Sequence, residues 1–310
     1  MAETFPIIRV KRPSSRKIAY LCEMLIDTHT HFYDEWLLPD AEEAVARAVE
    51  AGVGKMIQAD VDSKERPAMW AIGERHPGVI FQMLGLYPGS VTADNWQDEL
   101  DQVYHIAATG DWKSKSENYV HNPKTNQVSQ EPFGRQATRG GTIVAIGEIG
   151  LDYHEGKEYV KEQKEVLRLQ LELAAKLDLP VNIHLRDAWE DLFQILEDCR
   201  HLHLRGNLHC FTASHEVYER ANRSGRWSVG IGGVVTFKNA GLQGVVQRIP
   251  LEKIVLETDA PYIAPVPFRG RRNESAYLPL IATKVAELKG LTFDEVATVT
   301  TRNAETIYRI

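Results

Sequence analysis

The stretch Leu25-Ile26-Asp27-Thr28-His29-Thr30-His31 decides the fold. An apolar run that starts at Met24 passes directly into a polar string carrying two histidines two residues apart. Extended backbone turns successive side chains to opposite faces, so His29 and His31 share one face while Thr28 and Thr30 face the wall. Two imidazoles aimed at one point from the end of a strand suit a divalent ion, which accepts imidazole nitrogen and carboxylate oxygen at about 2.0–2.2 Å.

The same order, a short apolar run and then chemistry, recurs along the chain. Candidate strands lie at 24–26, 55–59, 79–84, 142–147, 181–183, 206–208, 226–231 and 253–256. Helical patterns fall between them at 40–50, 159–177 and 188–199, and a last one at 293–308 reads as a closing helix. Strands alternating with helices imply parallel pairing through crossovers. Eight such units in about 250 residues predict an α/β fold of the (β/α)₈ TIM type, as one domain. A doubly wound open sheet fits the rhythm but not the placement of the polar residues.

That placement carries the functional reading. Glu148 ends the fourth candidate strand, His184 the fifth and His209 the sixth, and Asp259 lies just past the eighth. In a barrel of this kind the carboxyl ends of the strands form the active face. Each residue has a plain structural reading by itself: a capping acid, a hydrogen-bonded core histidine, a turn former. Their shared position in one strand frame favours a common site. Four histidines and two acids exceed one tetrahedral site and suit two ions about 3.5–4 Å apart, such as Zn²⁺, Mg²⁺ or Mn²⁺. His154, in the loop after Glu148, is placed to face a substrate. His76, His105, His121, His201, His203 and His215 lie away from strand ends and read as surface or incidental residues.

Two segments break the rhythm. Residues 1–23 form an N-terminal extension before the 24–310 barrel, and about 110–141 is a polar insertion after the third strand unit. The first 20 residues carry Arg9, Lys11, Arg12, Arg16 and Lys17, but their apolar patch holds Pro6, so they read as an extension and not an export signal. Three widely spaced cysteines fit a reducing, cytoplasmic setting. No apolar run has the length of a membrane span. The net charge of -7 argues against coating a long duplex, so any nucleic acid would be gripped over a short stretch or through metals.

Several stretches together resemble the TatD family of metal-dependent deoxyribonucleases, within the amidohydrolase-like barrels. They are residues 26–31 (IDTHTH), 147–153 (GEIGLDY), 179–186 (LPVNIHLR), 209–212 (HCFT), 257–262 (ETDAPY) and 267–274 (PFRGRRNE). The resemblance implies that His29, His31 and Asp259 hold one metal, that Glu148 bridges, and that His184 and His209 complete a second. It implies hydrolysis of single-stranded DNA, as an exonuclease, by a water activated between two metals, with Asp259 and Glu148 catalytic and Asp152 orienting a ligand from behind. Arg269 and Asn273 would contact phosphate or sugar. One departure stands out. The family's Gly-x-His-Pro reads Gly85-Leu86-Tyr87-Pro88 here, so a phenol with an ordinary pKa near 10 replaces an imidazole at a substrate-contacting position. Two other readings follow: the same hydrolase acting on a small phosphoester, ester or amide, or a metal-stabilised binding module without catalysis.

Overall fold

The computed structural model describes residues 24–113 and 143–310. The extension 1–23, most of the expected insertion (114–142) and His121 lie outside these residues.

Among the described residues, eight strands form one parallel sheet in chain order. They are β1 Leu25–Thr30, β2 Val53–Gln58, β3 Ile80–Leu84, β4 Ile143–Asp152, β5 Val181–Arg186, β6 Arg205–Leu208, β7 Arg226–Ile231 and β8 Ile254–Leu256. The sheet curls into a barrel. Its seam runs between β1 and the segment after β8, where Asp259 N donates to His29 O (2.9 Å) and His31 N donates to Ala260 O (2.8 Å). Outside lie α1 Ala41–Glu50, α2 Arg66–Arg75, α3 Trp96–Thr109, α4 Val160–Leu177, α5 Trp189–Asp198, α6 His215–Ser224, α7 Leu242–Arg248 and α8 Leu278–Lys289. The expected TIM-type barrel is the fold observed.

The closing helix, α9 Phe293–Tyr308, begins with a capping box: the Thr292 hydroxyl accepts from Glu295 N while the Glu295 carboxylate accepts from Thr292 N. Asn303 Nδ2 then donates to the carbonyls of Leu251 and Ile254, which places the helix at the amino ends of the strands. Ala304 and Tyr308 pack against Ile26, Ile57, Met83, Ala145 and Val255 and fill the barrel floor. The opposite, carboxyl end stays open.

Three strands run further than their apolar runs suggest. β1 continues through His29 to Thr30, β4 through Glu148 to Asp152, and β5 through His184 to Arg186. His29, Glu148 and His184 therefore sit within strands, whereas His31, His209 and Asp259 lie just past theirs. Hydropathy ends where the interior turns polar, whereas backbone pairing does not. α3 stops at Gly110, whose φ of 72° terminates the helix at the expected start of the insertion.

Candidate metal centre

The six expected ligands converge at the open end of the barrel. His29 Nε2 lies 3.1 Å from His31 Nε2, 3.2 Å from Glu148 Oε2 and 3.7 Å from Asp259 Oδ1. His31 Nε2 lies 3.5 Å from Asp259 Oδ1 and 3.8 Å from Glu148 Oε2. On the other side, Glu148 Oε1 lies 2.8 Å from His184 Nδ1 and 3.0 Å from His209 Nε2, and those two nitrogens are 3.3 Å apart. One carboxylate thus offers one oxygen to each of two imidazole pairs.

The nitrogens turned away from this point are supported one by one. His29 Nδ1 meets Asn182 Oδ1 at 3.0 Å. His31 Nδ1 meets the Tyr33 hydroxyl at 2.8 Å, and that hydroxyl donates its own proton to Ala59 O, so towards His31 it can only accept. His184 Nε2 meets Asp152 Oδ2 at 2.9 Å. His209 Nδ1 has Glu257 Oε1 at 3.5 Å, in ion-pair range but outside hydrogen-bond geometry. An acceptor on the far nitrogen keeps the proton there and aims the lone pair inward. Facing lone pairs this close repel unless a cation lies between them. The donor set therefore fits divalent metal, in the two groups His29–His31–Asp259 and His29–Glu148–His209 recognisable by ligand spacing.

The acids are tuned to match. Burial opposes ionisation of Glu148, but the His209 and His29 rings and the close contacts with His184 and His209 outweigh it and hold the carboxyl well below its usual range. Burial also opposes ionisation of Asp259, yet hydrogen bonding to His31 and the neighbouring imidazoles bring it down. Asp152 is lowered to about 2: burial works against this, and the His184 ring with the backbone N–H groups of Glu155 and His154 prevails.

Local backbone explains how these side chains arrive. Asp27 is fully buried and accepts from His29 N, Thr258 N and Thr258 Oγ1, tying the His29 strand to the Asp259 loop. Asp259 has a φ of 56°, a left-handed conformation that aspartate tolerates better than most residues. Asp60 N donates to Gly147 O and Asp60 O accepts from Glu148 N, so the end of β2 grips the bridging acid directly. Gly230 is needed in β7, because a Cβ there would lie 1.9 Å from Glu257 Oε2.

Around the centre opens a cavity of about 880 Å³. Besides the ligands, five carboxylates line it: Asp34, Glu35, Asp62, Glu65 and Glu155. Its two cations, Lys64 and Arg186, are paired with Glu65 and Glu155. Tyr87 lines it too, with its ring edge-on to His184 at 4.9 Å and its hydroxyl 3.4 Å from both Asp152 and Glu155. Burial, then the charges of Glu148, Glu155 and Asp152, push the phenol well above its ordinary pKa.

Other expected contacts fall elsewhere. Asn273 is fully buried and donates to the carbonyls of Thr258 and Tyr262, so it builds the loop and does not reach the cavity. The Arg269 guanidinium stacks over Phe237 at 4.6 Å. His154 is exposed beside the cavity, held through its backbone N–H on Asp152. His76 pairs with Glu42 on the surface, whereas His215 is buried in α6 against Tyr218, a packing role and not a surface one. Sequence reasoning missed Asn182, Tyr33 and Glu257. Asn182 and Glu257 each precede a candidate ligand by two residues, Asn182 within β5 and Glu257 just past β8, and that spacing was the available signal.

Barrel and donor set together define a metal-dependent hydrolase. The chain matches the family described as TatD related DNase over residues 26–309, and it belongs to that family. The metal-dependent hydrolase YabD of Bacillus subtilis is 36% identical over 290 residues, 93% of this chain and 100% of that one. The 3'-5' ssDNA/RNA exonuclease TatD of Pantoea vagans is 31% identical over 277 residues, 87% and 94% of the two chains. The solved structure of YJJV, a TatD homologue of Escherichia coli K12, matches with a TM-score of 0.76 at 27% identity, covering 94% of this chain and 100% of that one.

Proposed function

We propose that this protein is a two-metal phosphodiesterase that trims single-stranded DNA from an end. The observation that carries the reading is Glu148, whose two oxygens are divided between two sets of imidazoles. His29, His31 and Asp259 would hold one ion, and His184 and His209 the other, with Glu148 shared. Divalent cations bound there supply Lewis acidity and lower the pKa of a coordinated water. The chain's own residues do the rest. Asp259 borders the cavity with its carboxylate ionised, placed to take a proton from the attacking water. Asp152 fixes the His184 ring. Tyr87, kept neutral, donates a hydrogen bond to a substrate oxygen and leaves proton transfer to the acids. The barrel mouth admits a strand end, not intact duplex. A cytoplasmic setting belongs to this reading, supported by the free thiols of Cys199 and Cys210.

The test is an assay on end-labelled single-stranded DNA with Mg²⁺, Mn²⁺ or Zn²⁺, beside elemental analysis of the purified protein. Stepwise shortening and about two equivalents of metal are expected. No cleavage with any metal by a folded, metal-loaded protein sinks the reading. A second reading, hydrolysis of a small phosphoester, ester or amide, is favoured by the acidic cavity rim. Faster turnover of such substrates than of DNA would establish it.

A further inference from the structure

Trp36 and Tyr262 stand out at the rim because large aromatic side chains are usually buried. Trp36 is 57% exposed and Tyr262 44%. Their ring centroids are 6.3 Å apart, and the Tyr262 ring is 6.0 Å from the His31 ring. An aromatic strip therefore leads from solvent to a ligand of the metal centre, and Tyr262 lines the same cavity.

The strip is held in place although its faces are open. Asp34 clamps both members: Oδ1 accepts from Trp36 N at 2.8 Å and Oδ2 from the Tyr262 hydroxyl at 2.6 Å. The Trp36 carbonyl accepts from Arg272 at 2.8 Å, and Arg272 is itself fastened to Asp40 and Glu274. Backbone anchoring on both sides of an exposed indole is the preorganisation a binding surface needs. Core packing does not account for it, since among the described residues the ring contact of Trp36 is the half-exposed Tyr262.

We propose that Trp36 and Tyr262 form a stacking subsite for a nucleobase of single-stranded nucleic acid, next to the metal centre. The proposal rests on the phosphodiesterase reading. The electrostatics favour it. The cavity rim carries more carboxylates than cations, and its two cations are already paired, so it offers little to a run of phosphates. Affinity for a strand must then come from its bases, and every base has a face that stacks on an aromatic ring.

The test uses two short oligodeoxynucleotides with phosphorothioate linkages to slow cleavage. One carries 2-aminopurine at its terminal nucleotide, and the other is abasic there. The metal-loaded wild type should quench the 2-aminopurine and bind that strand more tightly than the abasic one. Trp36→Ala should lose the quenching, weaken binding of the first strand by about 5- to 100-fold, the span of one base–aromatic stack, and bind the abasic strand as the wild type does. Trp36→Phe should retain most of the affinity. Elemental analysis should show unchanged metal in both variants. Equal binding of both strands by wild type and Trp36→Ala overturns the subsite, while wild-type cleavage of ordinary DNA would leave the phosphodiesterase reading standing. Trp36-dependent quenching without cleavage supports the subsite and sinks the hydrolysis. Neither binding nor cleavage overturns both.

Discussion

Tyr33 shows how much a single hydroxyl can decide. Its proton is committed to Ala59 O, so it presents a lone pair to His31 Nδ1 and fixes which nitrogen of that ring faces the candidate metal centre. Tyr33→Phe should leave the barrel folded and weaken metal binding by about 10- to 100-fold, the usual cost of losing a partner behind a ligand. Competition with a chelator measures it, and an unchanged affinity would refute the role. Tyr87 makes the opposite argument. Its neutral phenol stands where the resemblance to the family implies a histidine, and it cannot act as an imidazolium. Tyr87→His should raise the rate on single-stranded DNA by about tenfold or more, within the range of general acid catalysis. A lower rate would show that the phenol is fitted to a different substrate. The convergence of the six candidate ligands was legible in the sequence because each falls at or near the carboxyl end of a strand. Tyr33 was not, since its role depends on the side chain folding back across the loop after β1. Asn273 was legible as a motif member but not as a buried loop builder, because its partners are backbone carbonyls that leave no sequence pattern.

At the level of elements, the fold was readable wherever an apolar run had a clear beginning. The floor helix was recognised in full because its period is unbroken from Phe293 to Tyr308. The ends of β1, β4 and β5 were not, because an interior lined with histidine and carboxylate looks like a loop to any hydropathy rule. The join between the ends of β2 and β3 is another feature only the structure reveals. There Arg66 Nε donates to Asp60 Oδ2 at 2.7 Å and Arg66 Nη2 to Gly85 O, with both side chains buried. Burial pushes the Asp60 carboxyl up to about 6 even with the guanidinium beside it. Arg66→Met strands that carboxylate and should cost about 3–5 kcal/mol in denaturant unfolding, whereas Asp60→Asn combined with Arg66→Met should recover most of the loss. A double variant as unstable as the single one would show that charge pairing is not what holds this join. At the floor, Thr292→Ala removes the cap of α9 and should cost about 1 kcal/mol with no change in metal content.

The whole molecule is acidic, and so is the mouth of its cavity. A protein that grips DNA through many phosphate contacts loses affinity steeply as salt rises. Here the binding of single strands should change little between about 50 and 200 mM salt, because at most one or two phosphates lie at the centre. A steep decline would point to a basic surface outside the described residues. Divalent metal bound by the candidate ligands would also tie the barrel together, since those residues lie in or just past β1, β4, β5, β6 and β8. Chelation should lower the melting temperature, and restoring the ion should raise it in a concentration-dependent manner. A melting curve indifferent to chelator would mean the ligands are held by the protein alone.

Asn182 supports His29 on one side and on the other donates to the Tyr308 hydroxyl at 3.2 Å. His29 leaves the ribosome early and Tyr308 late. A nascent chain therefore carries His29 well before the amide behind it has its partner, and before the barrel floor is in place. The candidate metal centre is thus backed by its full set of supports only once the floor helix has docked under the barrel.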